Sequence, residues 1–431
     1  MITSFNKKNL NFTVKINKFI IIYIKKEGVP IMKSLAIISE YNPCHKGHAY
    51  QIEKARELSG SDIIIALMSG NFVQRGIPAI FDKYTRAGLA VLSGADIVIE
   101  LPTVYATSSA EGFAYYAIDI LNRLNAVDYI SFGMENDNLS IINEIAKILS
   151  DEPENYRILL KKYMSKGFSA PLSREYALSE YLSNTGFRNI LGMPNNILAL
   201  EYIKALHKTA SLITPVPVKR IGNGYNDAIA TTPYPSATSI RNMYKNNDTE
   251  GIKSSLLPDV YNYISCKKPI FEEDFSMLLN QSILLNRNFL HEYSDIDEKL
   301  SNRINNLFSS GNYYNFNRLA AELKSKNYTY TRICRSLIHI LLGIKDNDIK
   351  SADACRVLAF NKAGGKFLKD IRDKSGIKLI CDLSEAKNIL KENTILQKDI
   401  LSSDIYRLAY FNKYNENLTD EYRHKPEIIN S

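Results

Sequence analysis

From residue 34 onward, short apolar runs alternate with segments whose apolar residues recur at helical spacing. Residues 34–39 read as a buried strand and 48–58 as a helix. Residues 62–68, with Ile63, Ile64, Ile65 and Leu67, read as a second strand. A helix over 84–92, a strand over 96–100, a long amphipathic helix over 109–124 and a strand over 127–132 follow. Strands separated by helices of this length predict βαβ units and a parallel sheet. Such sheets bind ligands beyond the carboxyl ends of their strands. Residues 138–207 read as mostly helical, 211–220 as one more strand, and Ser236 as the cap of a short helix. Beyond about residue 250 the pattern changes to helices over 273–308, 315–343 and 384–412, rich in Leu, Ile, Tyr and Asn. A strand–helix–strand piece is expected between Arg356 and Cys381. The predicted organisation is therefore an α/β domain over 32–250 and a mainly helical domain over 251–431.

The composition is that of an ordinary globular chain, 45% hydrophobic and 23% charged, which excludes wholesale disorder. Five scattered cysteines and no CxxC pair argue against a disulfide scaffold or a structural zinc site, and fit a reducing cytoplasm. The longest apolar run, 19–24, is far short of the roughly 20 residues of a membrane span. Residues 1–31 read as translated leader. Lys26-Glu27-Gly28 can be encoded by a ribosome-binding stretch, and Met32 lies just downstream. Without that segment the formal charge of +8 falls to 48 basic against 45 acidic residues, so a nucleic-acid partner must be argued from local patches.

The chemistry is concentrated just after the first strand, in Ile38-Ser39-Glu40-Tyr41-Asn42-Pro43-Cys44-His45-Lys46-Gly47-His48-Ala49-Tyr50-Gln51. The HxGH element stands between a strand and a helix. Helix N-termini present unpaired N–H groups to anions, Gly47 permits close backbone approach, and two imidazoles can donate to a transferring phosphoryl group. Isolated, such histidines would more often be cap residues; the strand–turn–helix context favours a phosphate site. Ser236-Ala237-Thr238-Ser239-Ile240-Arg241 adds hydroxyls, helix-start amides and a cation suited to a leaving pyrophosphate.

HxGH followed by this late S-x-T-x-I-R resembles the nucleotidyltransferases with a HIGH-type signature. Met68-Ser69-Gly70-Asn71-Phe72-Val73-Gln74-Arg75-Gly76, the stretch from Gly94 to Pro102, and Pro194-Asn195-Asn196-Ile197-Leu198 extend the resemblance. Together they resemble the bacterial tRNA(Met) cytidine acetate ligase family, over essentially all of the chain from Met32. The resemblance implies a Rossmann-like (HUP-type) catalytic domain. It implies formation of acetyl-adenylate from ATP and acetate, then transfer of acetyl to N4 of the wobble cytidine of elongator tRNA(Met). It implies ATP held by Ile38 through Gln51, with His45 and His48 on the phosphates and with Gly133, Asn195 or its neighbour Asn196, Arg220 and Ser236 at the nucleotide. Arg241 would join the two histidines in catalysis. Mg²⁺ is expected with the triphosphate, and Asp96 and Glu100 are candidate ligands by position only, a structural role being the alternative.

Cys44 stands where the family usually has an aromatic residue, and reads as a packing substitution, with an acyl-thioester role as the alternative. Gln74, Arg75, Lys83 and Arg86 could meet tRNA or nucleotide, or be a solvated face; Ser69-Gly70 could line the acetate pocket, or be a plain turn. Tyr313, Tyr314, Tyr328 and Tyr330, interleaved with Arg318, Lys324, Lys326, Arg332 and Arg335, are the RNA candidate, packing being the alternative for the rings. Two other readings remain: an adenylyltransferase for a small cofactor precursor, and an RNA-binding protein with an inactive nucleotide fold.

Overall fold

Seven isoleucine-, leucine- and alanine-rich positions in a row, all buried, make Ile63–Ser69 (β2) the middle of the molecule. A strand buried on both faces belongs inside a parallel sheet covered by helices. A computed structural model of the chain describes residues 32–135, 139–168, 170–183, 193–220, 234–386 and 394–430. The expected leader, 1–31, lies outside them.

Ser34–Ser39 (β1) runs parallel to β2 on one side and to Tyr129–Met134 (β6) on the other. Ile37 stands between Ala66 and Ser131. Ile97–Leu101 (β5) extends the sheet beyond β2, and Thr214–Lys219 (β7) extends it beyond β6. The β5-β2-β1-β6-β7 order is that of a Rossmann-like sheet. β7 carries Pro215 and Pro217, tolerated because it is an edge strand. A small hairpin, Phe72–Val73 (β3) with Ile77–Pro78 (β4), stands beside the sheet.

The crossover helices are set by local chemistry. Lys46–Ser59 (α1) is capped by His45 and ends at Gly60, whose φ of +61° suits glycine. Lys83–Leu92 (α2) is capped by Asp82, which accepts from the amides of Tyr84 and Thr85. The short Thr103–Ala106 (α3) precedes Ala110–Leu124 (α4), capped by Ser109. Leu139–Asp151 (α5), Glu154–Ser165 (α6), Ala170–Tyr181 (α7) and Pro194–Lys208 (α8) fill the predicted helical stretch. Ala237–Lys245 (α9), Thr249–Ser255 (α10) and Pro258–Ile264 (α11) follow β7.

The late chain is less simple than its pattern. The expected 273–308 helix is Ser276–Leu285 (α12) and Glu298–Ser309 (α13), because Asp297 starts a new helix by accepting the Leu300 amide. The 315–343 helix is likewise Phe316–Leu323 (α14) and Tyr330–Leu342 (α15), capped by Asn315 and Thr329. Ala354–Phe360 (β8), Lys362–Ile371 (α16) and Lys378–Ile380 (β9) are the expected strand–helix–strand piece. β8 pairs antiparallel with β5, and Glu427–Ile428 (β10) pairs with β8. The chain after residue 250 thus supplies part of the sheet as well as helices, including Thr394–Tyr414 (α17).

Candidate active site

A cleft opens beyond the carboxyl ends of β1, β6 and β7. From β1 the strand order departs in both directions, so the cleft sits at the switch point of the sheet.

The chain leaves β1 through Tyr41, passes the cis Asn42–Pro43 bond and enters α1 at His45. The two histidines form a capping box. His45 Nδ1 accepts the Gly47 amide at 3.1 Å, and His48 Nδ1 accepts the His45 amide at 3.3 Å. Both Nδ1 atoms are acceptors, so each neutral ring carries its proton on Nε2. The rings stack at 3.8 Å, a spacing two imidazolium ions would resist. Burial, then the Arg220 charge, pushes His45 down to about 3. Burial, His45 and Arg220 push His48 the same way. The pair is therefore neutral at physiological pH, with two Nε2–H donors. A Cβ at Gly47 would lie 2.9 Å from His45 Cε1, so glycine is required for the ring to sit there.

The second element docks on the first. Ser236 caps α9 by accepting the Ser239 amide at 3.2 Å. Arg241 donates to the Asn42 carbonyl at 2.9 Å and to Thr238 Oγ1 at 3.1 Å. Arg75 reaches the same hydroxyl at 3.4 Å. The third element comes from β6, β7 and α8. Arg220 donates to Asn195 Oδ1 at 2.8 Å. The Glu135 carboxylate accepts the amides of Asn195 at 3.2 Å and Asn196 at 3.0 Å, capping α8. Asn195 lines the cleft, whereas Asn196 is fully buried and accepts the Glu135 amide. Gly133 faces the Arg220 stem, 3.1 Å from where a Cβ would stand.

Ile38, Ser39, Glu40, Tyr41, Asn42, Tyr50 and Gln51 also line the cleft. Pro43, Cys44, Lys46 and Ala49 are not among its lining residues. Cys44 is buried, bonds Ser93 Oγ at 3.3 Å, and is pushed up to about 12 by burial, as a packing residue would be. Lys46 donates to the Ser254 carbonyl at 2.6 Å. Sequence reasoning missed Glu135, Phe113, Tyr202 and Lys219 at or under the cleft. Glu135 had a signal, an acidic residue just beyond a strand end; Phe113 and Tyr202 read only as core spacing.

Several expectations are corrected. Lys83 and Arg86 are not a solvated or RNA-facing surface; both are buried. Lys83 pairs with Glu100 at 2.8 Å and Glu421 at 3.1 Å, and Arg356 pairs with Glu421 at 3.0 Å. Glu100 is thereby structural. Asp96 is too, accepting Arg56 at 2.7 Å, the Ile64 amide at 2.8 Å and Asn361 at 2.8 Å. Arg86 clamps the carbonyls of Glu40, Ser69, Gly70 and Phe81, making Ser69-Gly70 a held turn outside the cleft lining. Arg335 is buried and paired with Asp295 at 2.9 Å, so it does not present itself to RNA. Arg332 lies over the Tyr328 ring, and Tyr314 and Tyr328 are buried; Arg318, Lys324, Lys326 and Tyr313 are exposed.

An HxGH capping box at a Rossmann switch point, faced by arginines from three elements, defines a HIGH-type nucleotidyltransferase site. The HIGH Nucleotidyl Transferase family model matches residues 32–421. The tRNA(Met) cytidine acetate ligase of Clostridium novyi is 41% identical over 388 residues, covering 88% of this chain and 95% of the relative. That of Thermoanaerobacter sp. (strain X514) is 42% identical over 392 residues, covering 88% and 96%. The crystal structure of Thermotoga maritima TmcAL bound with alpha-thio ATP superposes with a TM-score of 0.85 at 29% identity, covering 93% of this chain and all of that one. The chain belongs to the tRNA(Met) cytidine acetate ligase family.

Proposed function

We propose that this protein is an ATP-dependent ligase that activates acetate as acetyl-adenylate and passes the acetyl group to N4 of the wobble cytidine of elongator tRNA(Met). The observation that carries the reading is the neutral, stacked histidine pair at the switch point. Its two Nε2–H groups suit phosphate oxygens, donate without gaining or losing a proton, and stabilise charge that builds as pyrophosphate leaves. Arg241 and Arg75, converging on Thr238, suit the departing pyrophosphate. Arg220 and Asn195, held by Glu135, suit the nucleoside side of the cleft. ATP binding agrees with the analogue held by the Thermotoga relative.

Magnesium enters this reading only as the counter-ion of the triphosphate. Among the described residues no group of three or more His, Cys, Asp or Glu side chains could hold a metal ion, and Asp96 and Glu100 are spent on other partners. The donor set of the described residues does not fit a dedicated metal centre. For tRNA, the exposed Arg318, Lys324 and Lys326 supply phosphate contacts. No helix among the described residues is long and apolar enough to cross a membrane. A cytoplasmic setting belongs to the same reading, resting on five cysteines among which no disulfide forms in the described residues.

The test is exchange of labelled pyrophosphate into ATP without tRNA. Exchange is expected with acetate and not without an acid; exchange that needs a nucleotide or pantetheine precursor instead would assign the site to small-cofactor synthesis.

A further inference from the structure

Joining an acetyl group to an exocyclic amine removes a proton from that amine, and the cleft holds few groups able to take it. The imidazoles offer no lone pair. Each Nδ1 already accepts a backbone N–H, and each Nε2 carries the proton. Tyr202 keeps its phenolic proton, pushed up by burial and then by the Glu40 carboxylate. The arginine side chains present donors and no acceptor. Among the described residues lining the cleft, Glu40 is the single carboxylate.

Glu40 follows directly on β1 and is anchored twice. Its Oε1 accepts the Gln74 amide at 3.0 Å, and its carbonyl accepts the buried Arg86 guanidinium at 2.5 Å. Oε2 makes neither of these bonds. A fixed carboxylate is a poor neighbour for phosphate oxygens, since like charges repel, and a good one for an N–H donor. In a cleft that must also take a triphosphate, it therefore suits a hydrogen donor, such as the amine of the second substrate.

We propose that Glu40 is the base of the acetyl-transfer step; this rests on the acetate-ligase reading above. Glu40 accepts a proton from N4 as that nitrogen forms its bond to the acetyl carbonyl carbon. The bond from that carbon to the adenylate oxygen then breaks, AMP leaves with the electron pair, and the carboxyl group releases its proton to water. A base positioned in this way contributes about 10²–10⁴-fold.

The experiment separates the two half-reactions in Glu40→Gln and Glu40→Asp, using the full chain. Acetate-dependent pyrophosphate exchange reads adenylation. Single-turnover transfer from acetyl-adenylate to elongator tRNA(Met) transcript reads the second step. Glu40→Gln keeps an acceptor for the Gln74 amide, and its melting temperature checks the fold. Transfer is expected to fall at least 100-fold more than exchange does, so that acetyl-adenylate accumulates, with partial recovery in Glu40→Asp. Equal losses in both steps would instead make Glu40 part of the ATP site and overturn the proposal. So would transfer within threefold of wild type, which would hand the proton to the adenylate phosphate itself. Wild-type protein that makes no acetyl-adenylate would defeat the underlying reading, a result visible before any variant is compared.

Discussion

His45 and His48 are worth more as neutral donors than as acids. Their Nδ1 atoms are spent on backbone amides, so the useful proton sits on Nε2. Replacing His48 by Ala removes one donor aimed at developing charge, a change worth about 10²–10³-fold in comparable sites. Acetate-dependent pyrophosphate exchange should fall by that amount, with only a modest drop in melting temperature from the lost acceptor of the His45 amide. Stability should also depend on pH with a definite sign. His45 is held at about 3 against an ordinary 6.5, so the unfolded chain binds the proton first as pH falls. Its contribution is complete above 6.5 and is lost as pH falls from 6.5 toward 3, by about 1.4 kcal/mol per pH unit for each such histidine. His48 and the buried His339 act in the same direction. Urea midpoints should therefore fall between pH 7 and pH 5, and less steeply in a His45→Asn/His48→Asn variant; equal slopes would contradict the neutral pair. The HxGH letters were legible in the sequence. The tautomer was not, because it depends on which backbone amides the fold brings to each ring.

Elements show where pattern reading succeeds and where it stops. The four strands β1, β2, β5 and β6 and the helices α1, α2 and α4 were legible because each is bounded by its own cap or turn and buries a continuous face; the short β3–β4 hairpin and α3 were not. The α12–α13 and α14–α15 breaks were not, because Asp297 and Thr329 become caps only once the flanking helices pack apart. Basic residues misled most. Lys83 read as a contact for tRNA or nucleotide, or as a solvated charge, yet it is the centre of a buried cluster joining α2, β5 and the segment that carries Glu421. Lys83→Met strips a cation from two buried carboxylates and should cost about 3–5 kcal/mol, read as a lowered urea midpoint. Arg335 belongs to the same lesson: its replacement by Ala should lower stability by breaking the Asp295 pair. The exposed trio behaves differently. Arg318→Ala/Lys324→Ala/Lys326→Ala should weaken tRNA binding and flatten its salt dependence while leaving pyrophosphate exchange intact. The slope should drop by up to about 0.7–0.9 for each phosphate that is no longer neutralised. Loss of exchange in that variant would contradict the separation of the two surfaces.

At the scale of the molecule, the candidate site draws on distant parts of the chain that meet at the ends of β1, β6 and β7. Its first part was plain in the sequence, and so was Ser236 to Arg241. That Arg241 would bond the Asn42 carbonyl, 199 positions earlier, could be known only from the fold. The return of β8 and β10 to the sheet is of the same kind, since strand pairing over such separations leaves no local mark. Together these parts serve one proposed reaction, from ATP and acetate to acetylated tRNA. The measurement that tests it most directly is mass spectrometry of elongator tRNA(Met), digested after incubation with the protein, ATP, Mg²⁺ and isotope-labelled acetate. Labelled N4-acetylcytidine is expected at the wobble position, dependent on ATP and strongly reduced in the His48→Ala variant. Unmodified tRNA from protein that still binds ATP would contradict it.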